Sequence, residues 1–155
     1  MLQTLFHFAK LQKSKDSLPI IPQLPTELKG QVSGMKMHRF ACWSLGIVFV
    51  VVGLAHFASV ENFSKMIPEA LPYKSLAVIL TGILELILAV GLIFPATRIW
   101  AGRAIFLVLI LYTPLHVIDL MRETPVIGPK VVAIIRLPIQ GVMLYLAWLI
   151  AWPRK

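Results

Sequence analysis

The chain has 155 residues, enough for one domain, with 58% hydrophobic residues and a formal net charge of +8. Its mean hydropathy of +0.82 is too apolar for a water-soluble protein of this size, which makes a lipid bilayer the expected solvent. The basic residues are scattered between apolar runs without interleaved base-stacking aromatics, which argues against nucleic acid as a partner, and the single cysteine, Cys42, excludes an intrachain disulfide, a CxxC redox pair and a cysteine-based zinc site.

Residues 1–38 are expected to form a cytoplasmic N-terminal extension. Leu2, Leu5, Phe6, Ala9 and Leu11 recur at near-helical spacing with Lys10 and Lys13 between them, the pattern of a short helix lying on a membrane surface. No apolar run long enough for a secretory signal follows the first residues, so the segment is expected to stay attached. From Ser14 to Met37, the prolines Pro19, Pro22 and Pro25 and the lysines Lys15, Lys29 and Lys36 predict an irregular, partly extended tail.

Residues 39–153 read as a membrane domain with four spans. The first is predicted over Phe40–Ala58, with Trp43 near one interface and no charge before His56. Gly46 and Gly53, seven apart, share a helix face suited to close packing. Residues 59–73 are polar and turn-rich, with a short interfacial helix predicted over Glu61–Ile67. The second span, Lys74–Phe94, carries Glu85 in its middle and stops at Pro95. The third, Ile99–Leu120, is interrupted by Pro114 and bears His116 and Asp119 on one face near its end. The fourth, Val131–Trp152, sets Arg136, Pro138 and Gln140 inside an apolar run.

An even number of spans with short connections predicts an all-α, integral membrane, up-and-down four-helix bundle. With both termini in the cytoplasm, Lys10, Lys13, Lys15, Lys29, Lys36, Arg39, Arg98, Arg103, Arg154 and Lys155 lie inside, against Lys65, Lys74, Arg122 and Lys130 outside. That imbalance favours N-in, C-in, and the expected location is the bacterial inner membrane. Trp43, Trp100, Trp148 and Trp152 then fall in a cytoplasmic-side aromatic belt.

Ionisable residues within hydrocarbon are costly, about 2.5–3.5 kcal/mol for an arginine at helix centre, so they should face protein groups or a wet cavity. At about 1.5 Å rise per residue, His56 and His116 share a level, Arg136 lies roughly 9 Å below the outer end of its helix, and Gln140 and Glu85 roughly 15–16 Å below theirs. The candidate outer-half pocket is therefore His56, Glu85, His116, Asp119, Arg136 and Gln140. Glu85 is the expected counter-charge of Arg136, and Asp119 is expected at a water-reached rim. Each has a structural alternative: an ion pair fixing helix register, an interfacial histidine capping a helix end, an amide satisfying carbonyls freed by Pro114 or Pro138. No HxxxH, HxxE or ExxH pair is present, and no metal site is assigned.

As a set these residues resemble the DoxX-like family of small four-span membrane proteins, over about residues 40–152. The resemblance rests on Gly53-Leu54-Ala55-His56-Phe57, Phe63, Ile67-Pro68 with Leu71-Pro72, Gly82 with Glu85, Gly91-Leu92, Pro95 with Arg98, Pro114, and Arg136-Leu137-Pro138 with Gln140. His116 departs from it, standing where an asparagine is expected in many relatives. The resemblance implies a small membrane subunit associated with quinone-linked or thiol- and sulfur-linked redox chemistry, partnered with an oxidoreductase. A bound quinone would use histidine and glutamate as hydrogen-bond partners and proton acceptors, Arg136 to stabilise an anion and Gln140 to orient the head group. The alternative is a non-enzymatic scaffold, chaperone or assembly factor, alone or as a homo-oligomer, whose polar cluster serves only the fold. A solute carrier is disfavoured, since one four-helix bundle gives little room for alternating access.

Overall fold

The computed structural model describes residues 26–153. Within them the chain is all-helical: α1 (Thr26–Ala58), α2 (Val60–Met66), α3 (Lys74–Ile93), α4 (Arg98–Met121) and α5 (Lys130–Ala151), with no strand among the described residues. The chain divides into two compact units, Met1–Gly34 and Met35–Lys155, and the site lies wholly in the second. The surface helix expected near Leu2–Leu11, the prolines Pro19, Pro22 and Pro25, and the terminal Arg154 and Lys155 fall outside the described residues.

Four helices are long and apolar enough to cross a membrane: Val32–Ala58, Lys74–Ile93, Arg98–Met121 and Lys130–Ala151. Their boundaries fall within a residue or two of the predicted spans except at the start of α1. That helix begins at Thr26, not at Phe40, so the expected irregular tail over Ser14–Met37 is wrong for its last turns. Leu28, Val32 and Met35 stand at i, i+4 and i+7, the spacing of one helix face, and the helix continues through Gly30 and Gly34 despite their low helix propensity.

All four long helices contribute to one core, in which Ala41, Leu45 and Phe49 of α1, Leu88 and Leu92 of α3, Ala101, Ile105 and Leu109 of α4, and Ala147 and Ile150 of α5 are buried. Small residues set how closely the helices approach. A Cβ at Gly82 would lie 3.0 Å from the Gly53 carbonyl oxygen, and one at Gly102 would lie 2.6 Å from Ile150 Cγ2. Gly53 thus fulfils the expected close approach, whereas Gly46 has nothing within 4 Å of where its Cβ would stand.

Polar side chains close the helix ends. At the α3–α4 turn, Arg98 Nε donates to the Leu92 carbonyl at 2.9 Å and Nη2 to that of Ile93 at 3.1 Å, placing a cation on the orphan carbonyls of a helix C-terminus. At the other end of α4, Lys130 Nζ donates to the carbonyls of Leu120 and Arg122. Arg122 Nη1 reaches the Lys65 carbonyl at 3.1 Å and ties the end of α2 to α4. Pro114 and Pro138 lie inside α4 and α5, which both continue through them.

Candidate functional site

The site begins with the crossing of α1 and α3. Gly53 and Gly82 allow the two backbones to touch, and three residues later on each helix, on the same face, stand His56 and Glu85. His56 Nδ1 lies 3.1 Å from Glu85 Oε2 and 2.9 Å from the Val52 carbonyl. A carbonyl only accepts, so Nδ1 carries the proton and directs it along the helix at Val52. The carboxylate therefore sits beside the N–H rather than in line with it, and Glu85 Oε2 is buried with no hydrogen-bond partner. Glu85 is 3% exposed and His56 7%. The other face of the imidazole stacks on Phe63 of α2, with ring centroids 4.1 Å apart.

These two residues form part of the wall of a cavity of about 120 Å³. Val52 and His56 of α1, Val78, Thr81 and Glu85 of α3, and Tyr112, Leu115 and His116 of α4 line its sides, with Phe63, Met66 and Ile67 contributed by α2 and the residue after it. His116 Nδ1 is a second buried polar atom without a partner. The Arg122 bond to Lys65 holds α2, and with it Phe63 and Met66, against the cavity.

Of the six residues singled out in the sequence, His56, Glu85 and His116 line this cavity and the other three do not. The expected Glu85–Arg136 pair does not form. Arg136 Nη1 instead donates to Asp119 Oδ2 at 3.0 Å, and Nη2 to the Ile127 carbonyl at 2.9 Å. Asp119 Oδ1 accepts from the Val126 N–H at 2.8 Å. Asp119 is also not at a wet rim: it is 1% exposed, because the connection between α4 and α5 folds over it and supplies the donor that water would have given. Arg136 is thereby occupied on both arms and is not available to a ligand in the cavity.

Gln140, 2% exposed, donates through Nε2 to the Leu109 carbonyl at 2.7 Å, which also accepts from Thr113 Oγ1 at 2.8 Å. Both bonds end on the carbonyl one position before that of Ile110, which the missing Pro114 N–H leaves without its helical donor. Gln140 is thus a link between α4 and α5 rather than a head-group ligand.

Tyr112 and Thr81 line the cavity and were not singled out in the sequence. Each precedes a recognised polar residue by four positions, Thr81 before Glu85 and Tyr112 before His116, so the one-turn rule applied to those residues would have found them. Away from the cavity, Cys42 Sγ lies 3.8 Å from His38 Nδ1. Among the described residues no three His, Cys, Asp or Glu side chains converge as a metal site.

No curated protein and no solved structure matches the chain. Residues 45–151 match the model of a family described as a domain of unknown function (DUF8561), a match that takes in every cavity-lining residue and more than half of the chain, and the chain belongs to that family.

Proposed function

We propose that the chain is an integral membrane protein and that the His56–Glu85–His116 cavity receives the ring of a quinone-type molecule, the protein serving as a small DoxX-like membrane subunit of a redox system. In this reading the four long helices cross the bacterial inner membrane as an up-and-down bundle with both termini in the cytoplasm. Their outward faces support it: Ile47, Val51, Ile87, Leu107 and Leu111 are each at least 60% exposed, a distribution unfavourable in water and expected against lipid. The excess of basic residues near Arg39, Arg98 and Arg103 supports the orientation.

The observation that carries the ligand reading is the pair of partnerless buried atoms, Glu85 Oε2 and His116 Nδ1, on residues that line a mostly apolar cavity together with the polar side chains of His56, Thr81 and Tyr112. Leaving a buried polar group unsatisfied costs about 1–3 kcal/mol, more when charged. A fold that keeps two of them around one cavity has the marks of a binding site. A water-sized group needs about 10–15 Å³ of such space, so the cavity of about 120 Å³ suits a substituted six-membered ring, with Phe63 and Tyr112 as flat walls.

The scaffold reading has a specific observation in its favour as well. Asp119 and Arg136 are spent on protein partners, as is the amide nitrogen of Gln140, so half of the polar set serves helix register. The test is thermal unfolding of the protein in lipid nanodiscs with and without a decyl-substituted benzoquinone or its hydroquinone. A ligand at about 100 times its Kd stabilises by about 2.7 kcal/mol, so the transition should rise for one or both forms, and the rise should vanish in a folded His116→Leu variant. No rise at any concentration with either form would leave the scaffold reading standing.

A further inference from the structure

We infer that the end of the bundle at the α3–α4 turn binds the phosphate of an anionic phospholipid, with the Arg103 guanidinium as its main cation and Trp100 as the platform beneath it. This rests on the membrane reading above, not on the ring-binding one, and goes beyond it by naming a lipid class and the residues that hold it.

Positive charge at this end is uncompensated. Ala41 of α1, Leu92 of α3, Ala101 of α4 and Ile150 of α5 share one core there, and Arg39, Arg98 and Arg103 stand in or beside the same turns. Within the unit Met35–Lys155 the side-chain carboxylates are Glu61, Glu69, Glu85, Asp119 and Glu123, none of which lies in those turns. Ion pairs among the described residues are His56–Glu85, Lys65–Glu61 and Arg136–Asp119, all elsewhere. Arg98 is occupied by the Leu92 and Ile93 carbonyls. Arg103 instead lays its guanidinium carbon 5.0 Å from the Trp100 ring centroid, a cation–π contact that neutralises nothing. Its Nε is buried without a hydrogen bond, so Nη1 and Nη2 are the nitrogens left to meet an anion. α4 also opens here with no acidic residue in its first turn and no side-chain cap, and its dipole adds to the positive potential.

Depth identifies the anion as a headgroup. Trp43, Trp100, Trp148 and Trp152, all the tryptophans of the chain, lie toward this end, and Trp43 and Trp100 are 63% and 69% exposed, as indoles at a membrane interface are. A helical side chain leans toward the N-terminus of its helix. Arg103, three residues into the bundle from Trp100, therefore reaches back to the level of that ring. A guanidinium stacked there presents a planar fork that meets two phosphate oxygens at once. A zwitterionic phospholipid carries its own ammonium, which competes for the phosphate, whereas a net-negative headgroup brings the charge this end lacks. An acidic protein surface would match the charge but not the exposed indoles.

The test places the full chain in nanodiscs of equal parts phosphatidylcholine and phosphatidylglycerol, extracts it into mild detergent, and measures the retained lipid by mass spectrometry. Phosphatidylglycerol should exceed phosphatidylcholine by about fivefold, the preference that one arginine near an anionic surface confers. Arg103→Gln should bring the ratio to within about 1.5-fold. Arg103→Lys should at least halve it, because an ammonium neither stacks nor forks, and Lys74→Gln, at the opposite end, should leave it unchanged. Equal retention of both lipids, an unchanged ratio in either Arg103 variant, a loss as large in Lys74→Gln, or displacement of the lipid by inorganic phosphate at constant ionic strength would overturn the inference while leaving the membrane reading intact. A chain that stays monodisperse in buffer without detergent or lipid would remove both. If Arg103→Gln does not fold, Arg103→Lys decides.

Discussion

Arg136→Leu separates the two pairings open to this arginine. In the structure its partner is Asp119, 1% exposed and held by Arg136 Nη1 at 3.0 Å and by the Val126 N–H at 2.8 Å. Removing the guanidinium leaves a carboxylate buried with one neutral donor and no counter-charge, and breaking a buried pair in this way costs about 3–5 kcal/mol. For a chain of this size that lowers Tm by on the order of 10 °C. Asp119→Asn added to Arg136→Leu removes the stranded charge while its amide oxygen keeps the Val126 bond. The double variant should recover all but about 1–2 kcal/mol, the remainder arising from the Ile127 carbonyl that loses Nη2. Glu85→Gln added to Arg136→Leu should instead be additive within about 0.5 kcal/mol, as for sites without shared partners. The assay is equilibrium unfolding of the three single variants, the two double variants and the unsubstituted protein in one detergent. Coupling of Arg136 to Glu85 larger than its coupling to Asp119 would refute the pairing and with it the separation of Arg136 from the cavity.

Other expectations follow from packing and capping. Gly102→Ala places a methyl 2.6 Å from Ile150 Cγ2 and should cost about 1–3 kcal/mol through overpacking of α4 on α5, seen as a lower Tm. Gly46→Ala, with open space at its Cβ, should be neutral or stabilise by up to about 1 kcal/mol through helix propensity. Arg98→Ala strips the Leu92 and Ile93 carbonyls of their donor and should cost about 1–2 kcal/mol, with faster amide exchange confined to the end of α3. The Lys65 ammonium 2.8 Å from Glu61 holds that carboxyl below its usual range. Whatever stability the pair adds is present above the unfolded carboxyl pKa and is lost as pH falls through the lower folded value. The pair is exposed and screened, so Glu61→Gln should leave Tm at neutral pH unchanged.

The helical spans were legible in the sequence because hydropathy, prolines and the short polar connections all mark the same boundaries, as at Pro95. Thr26–Met37 was not, because Pro25, Gly30 and Gly34 read as breakers and outweighed the short Leu28, Val32, Met35 periodicity. Depth along the helices put His56 and His116 at one level with Glu85 deeper in the same outer half, and the three residues line one cavity. Depth alone gave the wrong partner for Arg136, because it carries no information on rotation about the helix axis or on where a connection folds back. The residues Val126 and Ile127 decide that pairing through their backbone N–H and carbonyl, groups every sequence position has and no residue pattern reveals. For the same reason Asp119, near a helix end, read as wet and is dry.

Imidazole resonances report directly on the proposed ring site between α1, α3 and α4. With histidine labelled at its ring nitrogens, titration of nanodisc-held protein with decyl-hydroquinone should shift the signals of His56 and His116 together and saturably, since both line the cavity. His38, packed against Cys42 instead, should stay in place. Movement of His38 alone, or unmoved His56 and His116 at saturating ligand, would contradict the assignment of the cavity as a binding site.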